Sequence, residues 1–480
     1  MRTAAFLALC AVVLAQDVKD ADIELDADRV PKTRTGGDVL LKNATVITLG
    51  PSGTLENASV LVRKGRIEAV GRAIAAPAGV KEIDCTNRFI MPGIIDCHSH
   101  IANEGGLNEA SQTVTPEVRI ADVVKPDDIA IYRALAGGVT SANVLHGSAN
   151  AIGGQNAVIK LRWGRRLASE LLFEGAPRGI KFALGENPKR SNFPDGRAKR
   201  FPNTRMGVEA SFRRSFTEAQ EYRKQWDAWE KTKQGAPPRR DQRLETLAGI
   251  LKGEILVHCH CYRADEILMI LDVARDFGFK PATLQHVLEG YRVAPEMAAA
   301  GVGGSTFSDW WAYKIEAWDA IPGNGPLMHD QGVLVSYNSD NSQLASRLNW
   351  EASKAVKFGI SEEEALKFVT INPAKQLRID DKTGSLEMGK DADFVVWSGN
   401  PLSVYSKCEQ TWVDGRRYFD LQEDQQMSEQ IQKERATLIQ KVLAGKREAS
   451  GPQAPAAVTR FRRPNEYKLQ SCMEGVENEN

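Results

Sequence analysis

Hydrophobic positions follow two different rhythms along this chain. Near the start, Val39–Thr48 and Ala58–Arg63 are β-branched runs, with a turn at Gly65-Arg66 before Ile67–Gly71. This is the pattern of paired strands. The same texture returns far downstream in Ala392–Trp397 and Gln410–Tyr418. Two such blocks flanking a long middle predict one β domain built from both ends, 38–92 together with 376–420. Between them, over 93–375, helix and strand signals alternate. Asp128–Ala136 reads as a helix, and Gly138–Leu145, Ala157–Leu161 and Ile180–Leu184 read as strands. Gly253–Val257 runs into His258, Ala282–Gln285 into His286, and Gly332–Tyr337 towards Asp340. About eight such units in about 280 residues predict an α/β fold, a (β/α)8 TIM barrel of parallel strands.

The remaining segments carry less pattern. Thr3–Ala15 is an apolar run too short to span a bilayer. With Arg2 before it and small Val13 and Ala15 at its end, it reads as a signal peptide over 1–15, and so as a secreted or periplasmic protein. Residues 17–36 form a polar arm. Thr217–Lys233 reads as a charged helix with a solvated face, inserted before the fifth strand. After Asp420 a polar helix is expected to about Lys446, then a loose Pro- and charge-rich tail within 421–480.

Lys plus Arg and Asp plus Glu number 62 each, so no overall field favours nucleic acid or an anionic membrane. A small-molecule substrate is expected, and homo-oligomerisation stays open. Seven cysteines in 480 residues are too few for a disulfide scaffold.

The chemistry lies at the strand ends. His98 and His100 close the run Phe89–Asp96 at i and i+2, so in a strand they project from one face about 6 to 7 Å apart. That is a workable bite on one divalent metal. Lys181, His258, His286 and Asp340 each sit at a later strand end, and barrel sites form where those ends converge. Glu186, two residues beyond its strand, rivals Lys181, and His260 shares the direction of His258. Gly147–Asn156 reads as a small-residue loop at a strand end, and His146 before it and Gln155 within it are expected to line the substrate pocket. Tyr291 and Arg292, just past His286, could hold a substrate carboxylate.

Pro92–His100, Thr370–Leu377 and Gly384–Val396 together resemble the signatures of the amidohydrolase superfamily, in particular its imidazolonepropionase-like and prolidase-like members. The resemblance brackets residues 38 to about 418. It implies a (β/α)8 barrel with a flanking β-sandwich made from both termini, and one or two divalent ions, zinc foremost, with His98, His100 and Asp340 around one and His258 and His286 around the other. It also implies Lys181 as a carbamylated bridge and Asp340 as the group that moves a proton in hydrolysis of a C–N amide bond. A deaminase or imidazolone-type ring hydrolase is the alternative. Deaminating relatives carry an acid three positions after the fifth-strand histidine, where this chain has Cys261. A metal-free binding scaffold is the remote third reading.

Overall fold

A computed structural model describes residues 36–103, 106–189, 200–308, 310 and 312–449, with side chains to 445. The expected signal peptide and the end of the tail lie outside the described residues.

The first strands are β1 (Val39–Ile47), β2 (Thr54–Arg63), β3 (Arg66–Gly71), β4 (Lys81–Asp84) and β5 (Phe89–Pro92). They share a sheet with the last three, β14 (Phe394–Trp397), β15 (Cys408–Val413) and β16 (Arg416–Asp420). The order is β16-β15-β14-β5-β1-β2-β3, with β4 paired to β1. Val39, Leu41, Val60 and Val62 from one end pack with Phe394 and Trp412 from the other. Alternation in each strand supplies that apolar face.

The middle forms the barrel. Its strands are β6 (Ile94–Ser99), β7 (Val139–Val144), β8 (Ile152–Lys160), β9 (Arg178–Ala183), β10 (Ile255–Cys261), β11 (Pro281–His286), β12 (Gly303–Thr306) and β13 (Val335–Tyr337). They neighbour one another in chain order. β6 and β13 are joined through the segment between them, Tyr337 N–H to Phe368 O and Ile95 N–H to Val369 O, both 2.9 Å.

One strand departs from the expected all-parallel barrel: β8 is antiparallel to both β7 and β9. Only seven residues, 145–151, separate β7 from β8. That is enough to reverse direction and too few for the crossover a parallel neighbour needs. The stretch 147–156, read as a loop, is therefore strand from Ile152 onward.

The helices are α1 (Ile129–Leu135), α2 (Ala168–Leu171), α3 (Arg205–Thr232), α4 (Gln242–Leu251), α5 (Ala264–Phe277), α6 (Ala294–Ala300), α7 (Asn324–Asp330), α8 (Leu348–Val356), α9 (Glu362–Lys367) and α10 (Ile371–Leu377). α3 begins twelve residues before the expected charged helix and is not merely solvated. Val208, Phe212, Phe216 and Ala219 are buried at helical spacing, and the Phe182 ring meets Phe212 and Phe216. The charges that dominate its second half hid this apolar stripe. α11 (Leu421–Ala449) belongs to a second compact unit. No helix among the described residues is long and apolar enough to cross a membrane. Cys85, Cys97, Cys259, Cys261 and Cys408 are buried free thiols.

Candidate metal centre

Strand parity decides what faces the barrel interior. On β6, Ile95 and Cys97 pack outward against Phe173 and α10, so Asp96 and His98 point inward. On β10, Val257, Cys259 and Cys261 join the core between barrel and helices, which turns His258 and His260 inward. Lys181 is the lateral partner of His258 in the β9–β10 register. Asp340 follows β13, and its N–H donates to His98 O at 3.0 Å.

These side chains meet at one point. The Nε2 atoms of His98 and His100 are 3.3 Å apart. Asp340 Oδ1 lies 3.4 Å from the first and 3.1 Å from the second. Lys181 Nζ reaches His98 Nε2 at 3.1 Å, and His286 Nε2 is 3.8 Å from Asp340 Oδ2. His98 Nδ1 faces Gln285 Oε1 at 3.1 Å and His100 Nδ1 faces Leu145 O at 3.0 Å. Both oxygens are acceptors, so both Nδ1 atoms carry the proton and both Nε2 atoms present lone pairs to the same spot. A tetrahedral ion with bonds of about 2.0 to 2.1 Å needs donors about 3.3 Å apart, which matches the histidine pair. Ligand atoms of His98, His286 and Asp340 all lie within 4.8 Å of one another.

A second set of donors stands beside them. His258 Nε2 and both ring nitrogens of His260 and His286 are buried without a hydrogen-bond partner. Each such atom costs about 1 to 3 kcal/mol unless something binds it. Five in one barrel mouth fit a site built for a cation. Electrostatics agree. Burial, then Lys181, lowers the His258 pKa to about 3. Burial and the neighbouring histidines hold His260 far down as well. Burial opposes ionisation of Asp340, but His286 and His100 outweigh it and keep its pKa low. Neutral His98, His258 and His260 beside an ionised carboxylate are in the protonation state that binds a divalent ion.

The frame holding these ligands is stiff. Asp96 accepts the Ser339 N–H at 3.0 Å and its hydroxyl at 2.5 Å, pinning the residue before Asp340. Asp340 and His286 both sit in left-handed backbone, at φ 45° and 68°. Strain of that kind persists only where the surroundings enforce it.

Other candidates are placed elsewhere. Glu186 faces Lys314 at 4.0 Å on the loop past β9. His146 is committed to backbone: its Nε2 accepts the Glu109 N–H at 2.9 Å and its Nδ1 donates to Gly147 O at 2.8 Å. The small residues near it serve that packing, since a Cβ at Gly153 would come within 2.7 Å of His146 Nδ1. Gln155 points away from the interior, donating to Pro116 O and Thr246 Oγ1 and accepting from Arg178. Tyr291 and Arg292 brace the loop after β12. The Tyr291 hydroxyl donates to Asp319 O at 3.0 Å, and Arg292 pairs with the Asp319 carboxylate at 3.2 Å. These four carry local structure, with partners the sequence alone does not reveal.

Two features of the mouth have no periodic signal in sequence. Phe307 stacks on His286 with centroids 5.0 Å apart, and Trp310 stacks on Phe307 at 4.5 Å. Tyr262 packs against His260 at 4.5 Å, and its hydroxyl is hydrogen-bonded to that of Tyr313 at 2.6 Å. Together they make an aromatic wall. Beyond it, Glu266 and Glu316 face each other across Gly185, where a Cβ would lie 3.0 Å and 2.6 Å from their Oε2 atoms.

Burial raises the Glu266 pKa from 4.5 to about 7, against the pull of Arg205 and with help from Glu316. A raised carboxyl pKa gives stability that is complete below the unfolded value and lost as pH climbs through the folded one. Replacing Glu266 by Gln should therefore stabilise the protein above pH 7 by up to about 3 kcal/mol, and change little near pH 4. Thermal unfolding at the two pH values reads this directly. Equal shifts at both would contradict it.

The known proteins now bear on this geometry. The sequence pattern of the amidohydrolase family matches residues 321–422. An amidohydrolase structure from Thermotoga maritima is 36% identical, covers 80% of this chain and 100% of its own, and superposes with a TM-score of 0.73. The chain belongs to the amidohydrolase family. Amidohydrolase tasK of Hapsidospora irregularis is 33% identical over 75% of this chain, which spans 40% of that protein's length. An imidazolonepropionase from Mesorhizobium japonicum is 25% identical over 74% of this chain and 91% of its own. A putative prolidase from Bifidobacterium longum shares the fold at a TM-score of 0.51 and 17% identity. This amidohydrolase is a metal-dependent enzyme that hydrolyses carbon–nitrogen bonds.

Proposed function

We propose that this amidohydrolase cleaves the C–N amide bond of a small peptide-like or cyclic-amide substrate, using zinc as its ion. The observation that carries this reading is the meeting of His98, His100, Lys181 and Asp340 at one point, beside three inward histidines with unpartnered nitrogens. A divalent ion held by His98, His100, His286 and Asp340 would supply an acidified water and polarise a carbonyl. Asp340 is ionised and turned towards that point, so it takes the proton of the attacking water and gives it to the departing nitrogen. The C–N bond breaks, leaving an acid and an amine. Ser339, pinned by Asp96, and the bond from the Asp340 N–H to His98 O hold Asp340 in place. The wall of Phe307, Trp310 and Tyr262 shields the point from bulk water and favours a flat or apolar group on the substrate.

Ring-amide opening is supported by the imidazolonepropionase relatives, matched over nine-tenths of their length. Deamination fits less well. Cys261 is buried among the core residues outside the barrel, so it cannot stand in for an acid facing the substrate.

Purified protein should be tested against dipeptides, cyclic ureides and aminated rings, before and after chelation. Hydrolysis of an amide or ureide that disappears with the ion and returns with zinc is the expected result. Full activity in chelated protein would overturn the reading, and turnover confined to aminated rings would replace it with a deaminase.

A further inference from the structure

At the N-terminal face of the barrel, away from the ligands, a cavity of about 260 Å³ opens where β11, β12 and β13 begin. Lys280, Lys375 and Arg378 line it, and no carboxylate does. Lys280 Nζ lies over Gly301, where a Cβ would be 2.6 Å away, so the bare glycine leaves the amine room beside the cavity. The three cations reach solvent, and none has a side-chain ion pair, hydrogen bond or ring contact among the described residues. Lys160, buried near the β-sheet domain, shows how this protein treats a structural cation. It is met by Asp391 at 2.8 Å, Asp393 at 3.0 Å and Asp414 at 2.5 Å.

Helix ends do not balance this charge. α6 closes at Gly301 and α10 at Arg378, and each C-terminus contributes about half a negative charge. Roughly one negative charge then faces three positive ones, leaving an excess of about two. The floor is firm. Gln376 donates to Leu334 O at 2.8 Å and accepts from the Ser336 hydroxyl at 2.6 Å, so its amide does not swing out to neutralise anything.

We propose that this cavity binds a small, multiply charged oxyanion of the phosphate or polycarboxylate class, at a site separate from the metal centre. The volume suits an ion of that size, and the charge excess suits a dianion. Arg378 offers a planar fork for two oxygens, and the lysines act as point charges.

Calorimetric titration of the metal-loaded full chain tests this, with inorganic phosphate and citrate as probes and sodium chloride at matched ionic strength as control. Saturable binding of phosphate, citrate or both, and none of chloride, is expected; which probe saturates decides the class. Lys375→Gln/Arg378→Gln should weaken that binding about tenfold or more, as expected for lost charge-assisted hydrogen bonds, while keeping its metal. If the double variant does not fold, Lys280→Gln serves with the same expectation. Binding that is equal in wild type and variant, absent for both probes, or abolished by chelation alone would overturn the site.

Discussion

Asp340→Asn should lose about 10²- to 10⁴-fold in turnover while keeping most of its metal. The amide retains the size of the carboxylate and an oxygen that can still face His98 and His100, now 3.4 and 3.1 Å from Oδ1. It cannot accept a proton at neutral pH. Ligation should survive on the histidines and the Lys181 side chain, so metal analysis and kinetics should separate. KM should move little, because the aromatic wall that would hold the substrate is untouched. Retention of near-normal turnover would mean that another group moves the proton. His260 is then the first to test, since both its ring nitrogens are unpartnered and its ring packs 4.7 Å from that of His286.

Much of this site could be read from residue spacing, because strands impose a period of two. His98-Ser99-His100 needed only that rule, and so did the inward turn shared by His258 and His260. The barrel with its flanking sheet was legible because β texture sits at both ends of the chain. What was not legible depends on contacts distant in sequence. The reversal of β8 follows from a short connection whose ends had to be located first. Arg292 looked available for a substrate, yet Asp319, 27 positions later, occupies it. His146 looked like pocket lining, but the loop through Glu109 folds back to bond it. The aromatic wall joins Tyr262 and Phe307, each just past a strand, with Trp310 and Tyr313, where no repeat reports on packing.

Lys181 should decide how many ions this enzyme holds. It is fully buried, with Nζ 3.1 Å from His98 Nε2 and its Cα opposite His258 in register. An ammonium there repels a divalent ion. A carbamate, formed by a neutral lysine amine and dissolved CO2, would replace that positive charge with an anionic oxygen donor reaching the ligands of both strands. Metal loading should therefore rise with bicarbonate during reconstitution. Lys181→Ala should lose part of its metal and most of its activity, and small carboxylic acids should restore some of both by entering the space. Glu186 gives the contrast. Its carboxylate faces Lys314 on the loop above, 4.0 Å away, so Glu186→Gln should leave metal content near normal. Metal analysis of the two variants, with and without bicarbonate, decides between them. A Glu186→Gln protein that loses ions while Lys181→Ala keeps them would make Glu186 the bridging ligand.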